Sequence, residues 1–450
     1  MPPELITHIF ESLPFHPYNT RAASLAQFCL VNHHFLEIAR PLLYHDVHLD
    51  FFQDYNSSWS SLRQLFRTLL DFDHCSILVN IIRISMDTAT HLEVTAVAYL
   101  LSQLKALKSI QMEGIEDGDD EDCIRAIHKH QVGLKHLELR GVMFEGSNHW
   151  SMLRALEGLE TLVGGFDAPE DDEPASHLVN LPCKLRHFVS HSTLTLATFD
   201  CVLHSSWSSL TSLAFVIDPE CADLDLQRLK NLNTLRIVLE DDTNLSLEPL
   251  PFSSDPSRRL PNLRMLQILK FALKIRMIII SIQSLPIETL SITVKEDYIS
   301  KAISPYLFLA PLPSSLRHFG TVFEFLDPEG VNSRELVKTI HDGRLPHLEQ
   351  ITIFPSDGDS AAYRRPLDAA TQRRFSELER RLGITVIPHR PSPDTVTSWY
   401  TLEPHVEETD EEEDDEEGSE EDYDSEELDE FRSDYEEDED EDEGEEEDDE

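Results

Sequence analysis

LKHLEL, residues 134–139, decides how this chain is read, because the same six-residue frame keeps returning on both sides of it. LKSIQM begins at Leu107, LETLVG at Leu159, LRHFVS at Leu185, LTSLAF at Leu210, LNTLRI at Leu232, LRMLQI at Leu263, IETLSI at Ile287, LRHFGT at Leu316 and LEQITI at Leu348. The ten frames are 27, 25, 26, 25, 22, 31, 24, 29 and 32 residues apart, and a weaker copy, VNIIRI, starts at Val79. The first and fourth positions are apolar in every copy and the sixth in most. Each frame therefore reads as a short strand that cannot bury its own apolar side and needs identical units stacked on it. At about 1.5–3 kcal/mol gross per buried large aliphatic side chain, three such positions per copy help offset the entropy of ordering the stack. Gly164, Ser190 and Thr321 break the rule at the sixth position, which predicts an irregular array.

The frame resembles the LxxLxL core of leucine-rich repeats. That resemblance implies an α/β fold: an irregular solenoid with one curved parallel sheet, spanning residues 51–388. The usual Asn after the strand is mostly missing. Between strands, AVAYLLSQL (96–104) reads as helix, whereas GIEDGDDEDC (114–123) and DAPEDDEPAS (167–176) read as acidic surface insertions. DAATQRRFSELERRLG (368–383) predicts an amphipathic helix closed by Gly383, and ITVIP (384–388) a last strand capping the stack.

Strand alternation puts the third, fifth and seventh frame positions on the concave, solvent-facing side. Among them His136, Arg140, His187, His191, Arg236 and His318 are the candidate partner-facing residues. This row is mixed and lightly charged, which suits a protein partner; a nucleic-acid backbone calls for clustered Lys and Arg, so no direct nucleic-acid contact is expected. His187 and His191 form HxxxH, but four residues along a strand span roughly 13 Å, too far to share a metal ion. No GxxxxGK[ST], GxSxG, HExxH or GxGxxG occurs, so neither catalytic residues, nor a cofactor, nor a metal site is proposed, and the chain is not read as an enzyme.

The N-terminus places Leu5, Ile6, Ile9, Phe10 and Leu13 at helical spacing between Pro2–Pro3 and Pro14. This stretch, followed by SLAQFCLVNHHFLEIARPLLYHDVHL (24–49), resembles an F-box over residues 1–50: a Pro-x-Leu opening, a first helix, a Val-x-x-x-Phe helix and an RPLLY corner leading into a strand. One departure stands out, in that the Leu normally preceding the first Pro falls at Pro2 or Met1. The resemblance implies docking on a Skp-type adaptor of a cullin-RING ubiquitin ligase through Pro3, Leu5, Ile9, Leu13 and Val31, with the repeats holding a protein substrate. It assigns Phe35, Leu42 and Leu43 to packing within the module or against the first repeat. A small module has too little interior for every apolar side chain, so a surplus on its first helix fits a helix-in-groove interface.

Charge is concentrated at the other end. Between Glu407 and Glu450 there are 33 Asp or Glu against one Arg, Arg432, about −32 of the chain's −48. Such a segment has almost nothing to bury and repels itself, so it reads as a disordered acidic tail after a linker at 389–406. It suits basic proteins, and Thr409, Ser419 and Ser433, each with an acid three residues on, are candidate phosphosites. Acidic repeat proteins that bind histones without an F-box are the competing resemblance. Six scattered cysteines with no CxxC, and no apolar run of membrane-spanning length, lead us to expect an intracellular protein of nucleus or cytoplasm.

Overall fold

A computed structural model of the chain describes residues 20–51, 63–68, 73–86, 91–114, 121–144, 146–166, 180–217, 226–239, 260–271, 285–294, 312–322, 331–354 and 369–388. Pro3, Leu5, Ile9, Leu13, the DAPEDDEPAS insertion and the tail with Thr409, Ser419 and Ser433 lie outside these residues. The chain divides into Met1–His405 and Val406–Glu450, and only the first contains described residues.

The recurring frames become strands of one sheet: β1 Asp46–Asp50, β2 Ile81–Ser85, β3 Ser109–Glu113, β4 His136–Met143, β5 Thr161–Gly165, β6 His187–Thr193, β7 Ser212–Ile217, β8 Thr234–Leu239, β9 Met265–Phe271, β10 Thr289–Val294, β11 His318–Val322, β12 Gln350–Phe354 and β13 Thr385–Pro388. All thirteen lie in chain order, each parallel to the next. The fold is an α/β leucine-rich-repeat-type solenoid with a curved parallel sheet. The sheet begins at β1, which follows directly on the N-terminal helices and pairs with β2 from Asp46↔Ile81 to Asp50↔Ser85.

Register is held by a repeated backbone device. The carbonyl at the second frame position accepts two successive N–H groups from the next unit: Lys108 and Ser109 both donate to Asn80 O at 2.8 and 3.0 Å, and Lys135 and His136 both donate to Lys108 O at 2.9 Å. The same bond pair recurs along the stack to Glu349 and Gln350 on Arg317 O. Polar side chains just before the frames add cross-links. Ser209 donates to Leu185 O, Asn231 to Ser208 O, Asn262 to Lys230 O and Ser315 to Ile287 O. In this chain, side-chain links between repeats thus come from the residue just before each of these frames.

The first, fourth and sixth frame residues form a continuous core. The three exceptions have local causes. Phe144, Phe166 and Phe188 run as a column, with ring centroids 4.8 and 5.4 Å apart, and the Phe144 ring takes the volume a side chain on Gly164 would need. Ser190 is fully buried and donates to Ser192 O at 2.9 Å, while Ser192 both receives the Phe166 N–H and donates to its carbonyl. Thr321 is buried in the same layer.

Two helices, α1 Thr20–Cys29 and α2 His33–His45, precede the sheet, and α3 Asp73–Ser76, α4 His91–Gln103, α5 Glu121–His130, α6 Gly146–Ala155, α7 Leu196–Leu203, α8 Val331–His341 and α9 Ala369–Leu382, with a 3-10 turn at Leu226–Arg228, lie between strands. The expected insertion GIEDGDDEDC is corrected at its end: α5 starts at Glu121, and Cys123 is buried. Glu121 and Asp122 there sit where the positive end of the helix dipole favours acids. At the other end, α9 and β13 form as the sequence predicts. Gly383 adopts φ +69°, and its N–H closes α9 on Glu379 O at 2.8 Å.

Candidate functional site

Two surfaces carry the sequence-derived candidates. The first is the concave face of β1–β6, where the fifth- and seventh-position side chains bind one another laterally. Asp46 pairs with Arg83 at 2.9 Å, and Arg83 Nε donates to Gln111 Oε1 at 2.8 Å. Gln111 meets His136 Nε2 at 3.3 Å, and His136 in turn meets Glu138 Oε2 at 3.3 Å. Arg140 Nε donates to Glu138 Oε1 at 2.7 Å and reaches Glu113 Oε2 at 3.4 Å, and Ser85 donates to Glu113. This chain of polar contacts spans four strands because parallel register sets equivalent positions about 4.8 Å apart.

Electrostatics follow from that geometry. Burial pushes the Glu138 carboxyl up, but hydrogen bonds from His136 and Arg140 together with their charges outweigh it and hold the pKa at about 2. His191, one strand beyond β5, is held neutral at about 4, first by burial and then by the Arg140 guanidinium, against a smaller opposing pull from Glu138. Its Nε2 is buried without a hydrogen-bond partner. His187 is exposed, and partial burial with nearby His136 and Arg186 lowers its pKa. His136, Arg140, His187 and His191 thus form one neighbourhood on β4 and β6. Arg236 stands apart on β8, donating to Gln267 at 2.6 Å, with burial lowering its pKa to about 10. His318 lies further off on β11, near Thr289 at 3.5 Å.

A uniformly solvent-facing concave row is not what forms. Glu138, Gln267 and Ser291 are buried, and Ala214, Val216 and Val238 cluster with Val189 as a small apolar patch of their own. Curvature crowds these side chains toward each other, so polar ones pair and apolar ones pack. Arg83 and Asp46 belong to the network but escaped the sequence reading. Arg83 holds the fifth position of the weak VNIIRI frame, which was the available signal. Among the described residues no group of three or more His, Cys, Asp or Glu is placed to hold a metal ion, and no helix is long and apolar enough to cross a membrane.

The second surface is the α1–α2 hairpin. Asn32 caps α2 by accepting the Phe35 N–H at 2.9 Å. The two helices close on a private core of Leu25 and Ala39 with Phe28, Cys29, Phe35, Ile38, Leu42 and Leu43 packed around it. Phe28 and Phe35 stack at 6.1 Å. The core stops short of the turn, where Leu30 is 87% and Val31 60% exposed. Of the five adaptor candidates, Val31 is the one within the described residues.

No protein-family profile matches the chain. No curated protein matches it. Among solved structures the chain is similar to one from the crystal structure of the Rad7 and Elc1 complex in yeast, with a TM-score of 0.41 and 17% identity over 86% of this chain and 93% of that one. It is also similar to a leucine-rich repeat protein from Bacteroides thetaiotaomicron, with a TM-score of 0.27 and 12% identity over 78% of this chain and 47% of the other. The class is defined by the chain's own architecture: a leucine-rich-repeat solenoid preceded by a helical hairpin.

Proposed function

We propose that the chain is a non-catalytic substrate receptor of an SCF-type ubiquitin ligase, binding a Skp-type adaptor through its N-terminal module and a protein client through the repeats. The observation that carries this reading is the hairpin turn, where Leu30 and Val31 stand exposed beside a core already filled by other residues. Two adjacent apolar side chains outside a completed core cost solvation unless a partner covers them. The F-box resemblance assigns Val31 to that partner, along with Pro3, Leu5, Ile9 and Leu13.

The client face in this reading is the β4–β6 neighbourhood. Its network fixes Glu138 and Arg140 in place before binding, and the exposed His187 offers an adjustable hydrogen bond. A fixed polar surface lowers the ordering cost of binding. The receptor performs no bond chemistry. Rate gain comes from holding client lysines near a ubiquitin-loaded enzyme at high effective concentration. As such a receptor it would work in the cytoplasm or nucleus.

Gel filtration of the purified full-length protein with a Skp-type adaptor tests the proposal. A co-eluting complex is expected, lost in a Leu30→Asp/Val31→Asp variant whose melting midpoint is unchanged. No complex with the wild type, or full binding by the variant, removes the reading.

A further inference from the structure

At the edge of the sheet where strands begin, two adjacent turns carry a charge opposite to that of the chain. The turns leading into β3 and β4, residues 104–108 and 131–135, contain Lys105, Lys108 and Lys135 and no acid, and Lys129 and His130 end the helix just before the second turn. Outside the acidic tail the chain still carries about −16, opposite in sign to these two turns. Lys108 and Lys135 are neighbours across the sheet, since the Lys135 N–H donates to Lys108 O at 2.9 Å. The Lys108 ammonium lies over the second turn, 3.5 Å from where a Cβ on Gly133 would sit.

The two turns are locked together. Buried Gln131 donates its side-chain amide to Leu104 O at 2.7 Å and also to Leu101 O, so the α5–β4 turn is tied to the end of α4. On this fixed platform Lys105, Lys108 and Lys129 are exposed and form no ion pair among the described residues, whereas Lys135 is engaged by Glu160 at 2.7 Å. Val132, in the second turn, is 61% exposed. Complementing the negative ends of α4 and α5 accounts for His130 and Lys129, since cations in a last turn are worth about 0.3–1 kcal/mol. It does not account for Lys108, which lies beyond both helices, or for an exposed valine in the second turn.

We infer that this platform is a docking surface for an acidic peptide segment of another protein, with carboxylates or phosphates on Lys105, Lys108 and Lys129 and an apolar side chain against Val132. A peptide fits better than a nucleic acid. The patch is two turns wide, includes an exposed apolar side chain and no Arg or stacking aromatic ring, and belongs to a body whose net charge repels a long polyanion. The surface is separate from the hairpin and the concave network, so it stands or falls without the ligase reading.

Fluorescence anisotropy on the full-length protein decides it, with three probes: a short Glu/Asp peptide with a central Leu, the same peptide with phosphoserine replacing two acids, and a single-stranded oligonucleotide. The structure predicts that at least one peptide binds, that Lys108→Glu/Lys129→Glu weakens it about tenfold or more, that Val132→Asp weakens it too, and that salt weakens it. Comparison of the two peptides identifies whether carboxylate or phosphate is preferred. Absence of peptide binding, equal binding by the charge-reversed variant, or preference for the oligonucleotide overturns the inference.

Discussion

The Phe144 ring occupies the space that a Cβ on Gly164 would enter, at 2.2 Å. Gly164 is therefore a packing requirement, and its place in the sixth frame position is compensated by an aromatic side chain from the preceding unit. Gly164→Ala is expected to cost about 1–3 kcal/mol through overpacking, read as a lower urea midpoint. Gly158→Ala, whose added Cβ would meet only Leu134 O at 3.6 Å, is the control and should shift the midpoint by about 0.5 kcal/mol or less.

His191 makes stability depend on mildly acidic pH. Its folded pKa of about 4 lies below the ordinary 6.5, so the unfolded chain binds the proton more readily, and stability is fully present above 6.5 and lost as pH falls toward 4. At 1.36 kcal/mol per unit the ceiling is about 3 kcal/mol. Melting curves between pH 7.5 and 4.5 should flatten in His191→Asn; an unchanged slope would refute the assignment.

Glu138 acts lower. Its folded pKa of about 2 is depressed from 4.5, so the stability it provides exists above 4.5 and disappears as pH drops to 2. Glu138→Ala leaves Arg140 with the weaker 3.4 Å contact to Glu113 and should cost a few kcal/mol, about 3–5 in the limit of a fully buried charge left unpaired. Glu138→Gln should cost less, because it can still accept the Arg140 hydrogen bond.

On the concave face, His187 is exposed and outside the bonded network, so its replacement probes binding and not folding. His187→Asp should reduce client recovery in affinity capture with the proteasome inhibited while leaving the melting midpoint and adaptor binding intact. Client recovery equal to wild type would move the client site elsewhere on the repeats.

The tail predicts a separate, salt-sensitive association. If residues 407–450 attract basic proteins, deleting them should abolish histone binding, and wild-type binding should fall sharply as the Debye length drops from about 10 Å at 0.1 M to about 3 Å at 1 M salt. Binding that survives high salt would exclude a purely electrostatic tail contact.

Much of the fold was legible because a solenoid repeats its burial demand. Leu107, Ile110 and Met112 announce one unit, and the same spacing at Leu134, Leu137 and Leu139 announces the next. What the frame could not convey was compensation between units. Phe144 filling for Gly164, or Ser209 and Asn231 reaching back to earlier carbonyls, depends on contacts across twenty or more residues. The concave candidates were legible as positions but not as states. Alternation places Glu138, Arg140 and His191 on one side, yet whether they face water depends on the neighbours one strand away. The hairpin was readable in part: Phe35, Leu42 and Leu43 pack its core, one of the two places the sequence left open for them, while the exposure of Leu30 is visible only once the turn is built.

Hydrogen exchange of the full-length protein, alone and with a Skp-type adaptor, tests the central claim most directly. The account predicts slowed exchange at residues 28–33 and across the first fifteen residues, with β3–β12 unchanged. Protection confined to the repeats, or none at any adaptor concentration that saturates a known F-box, would contradict it.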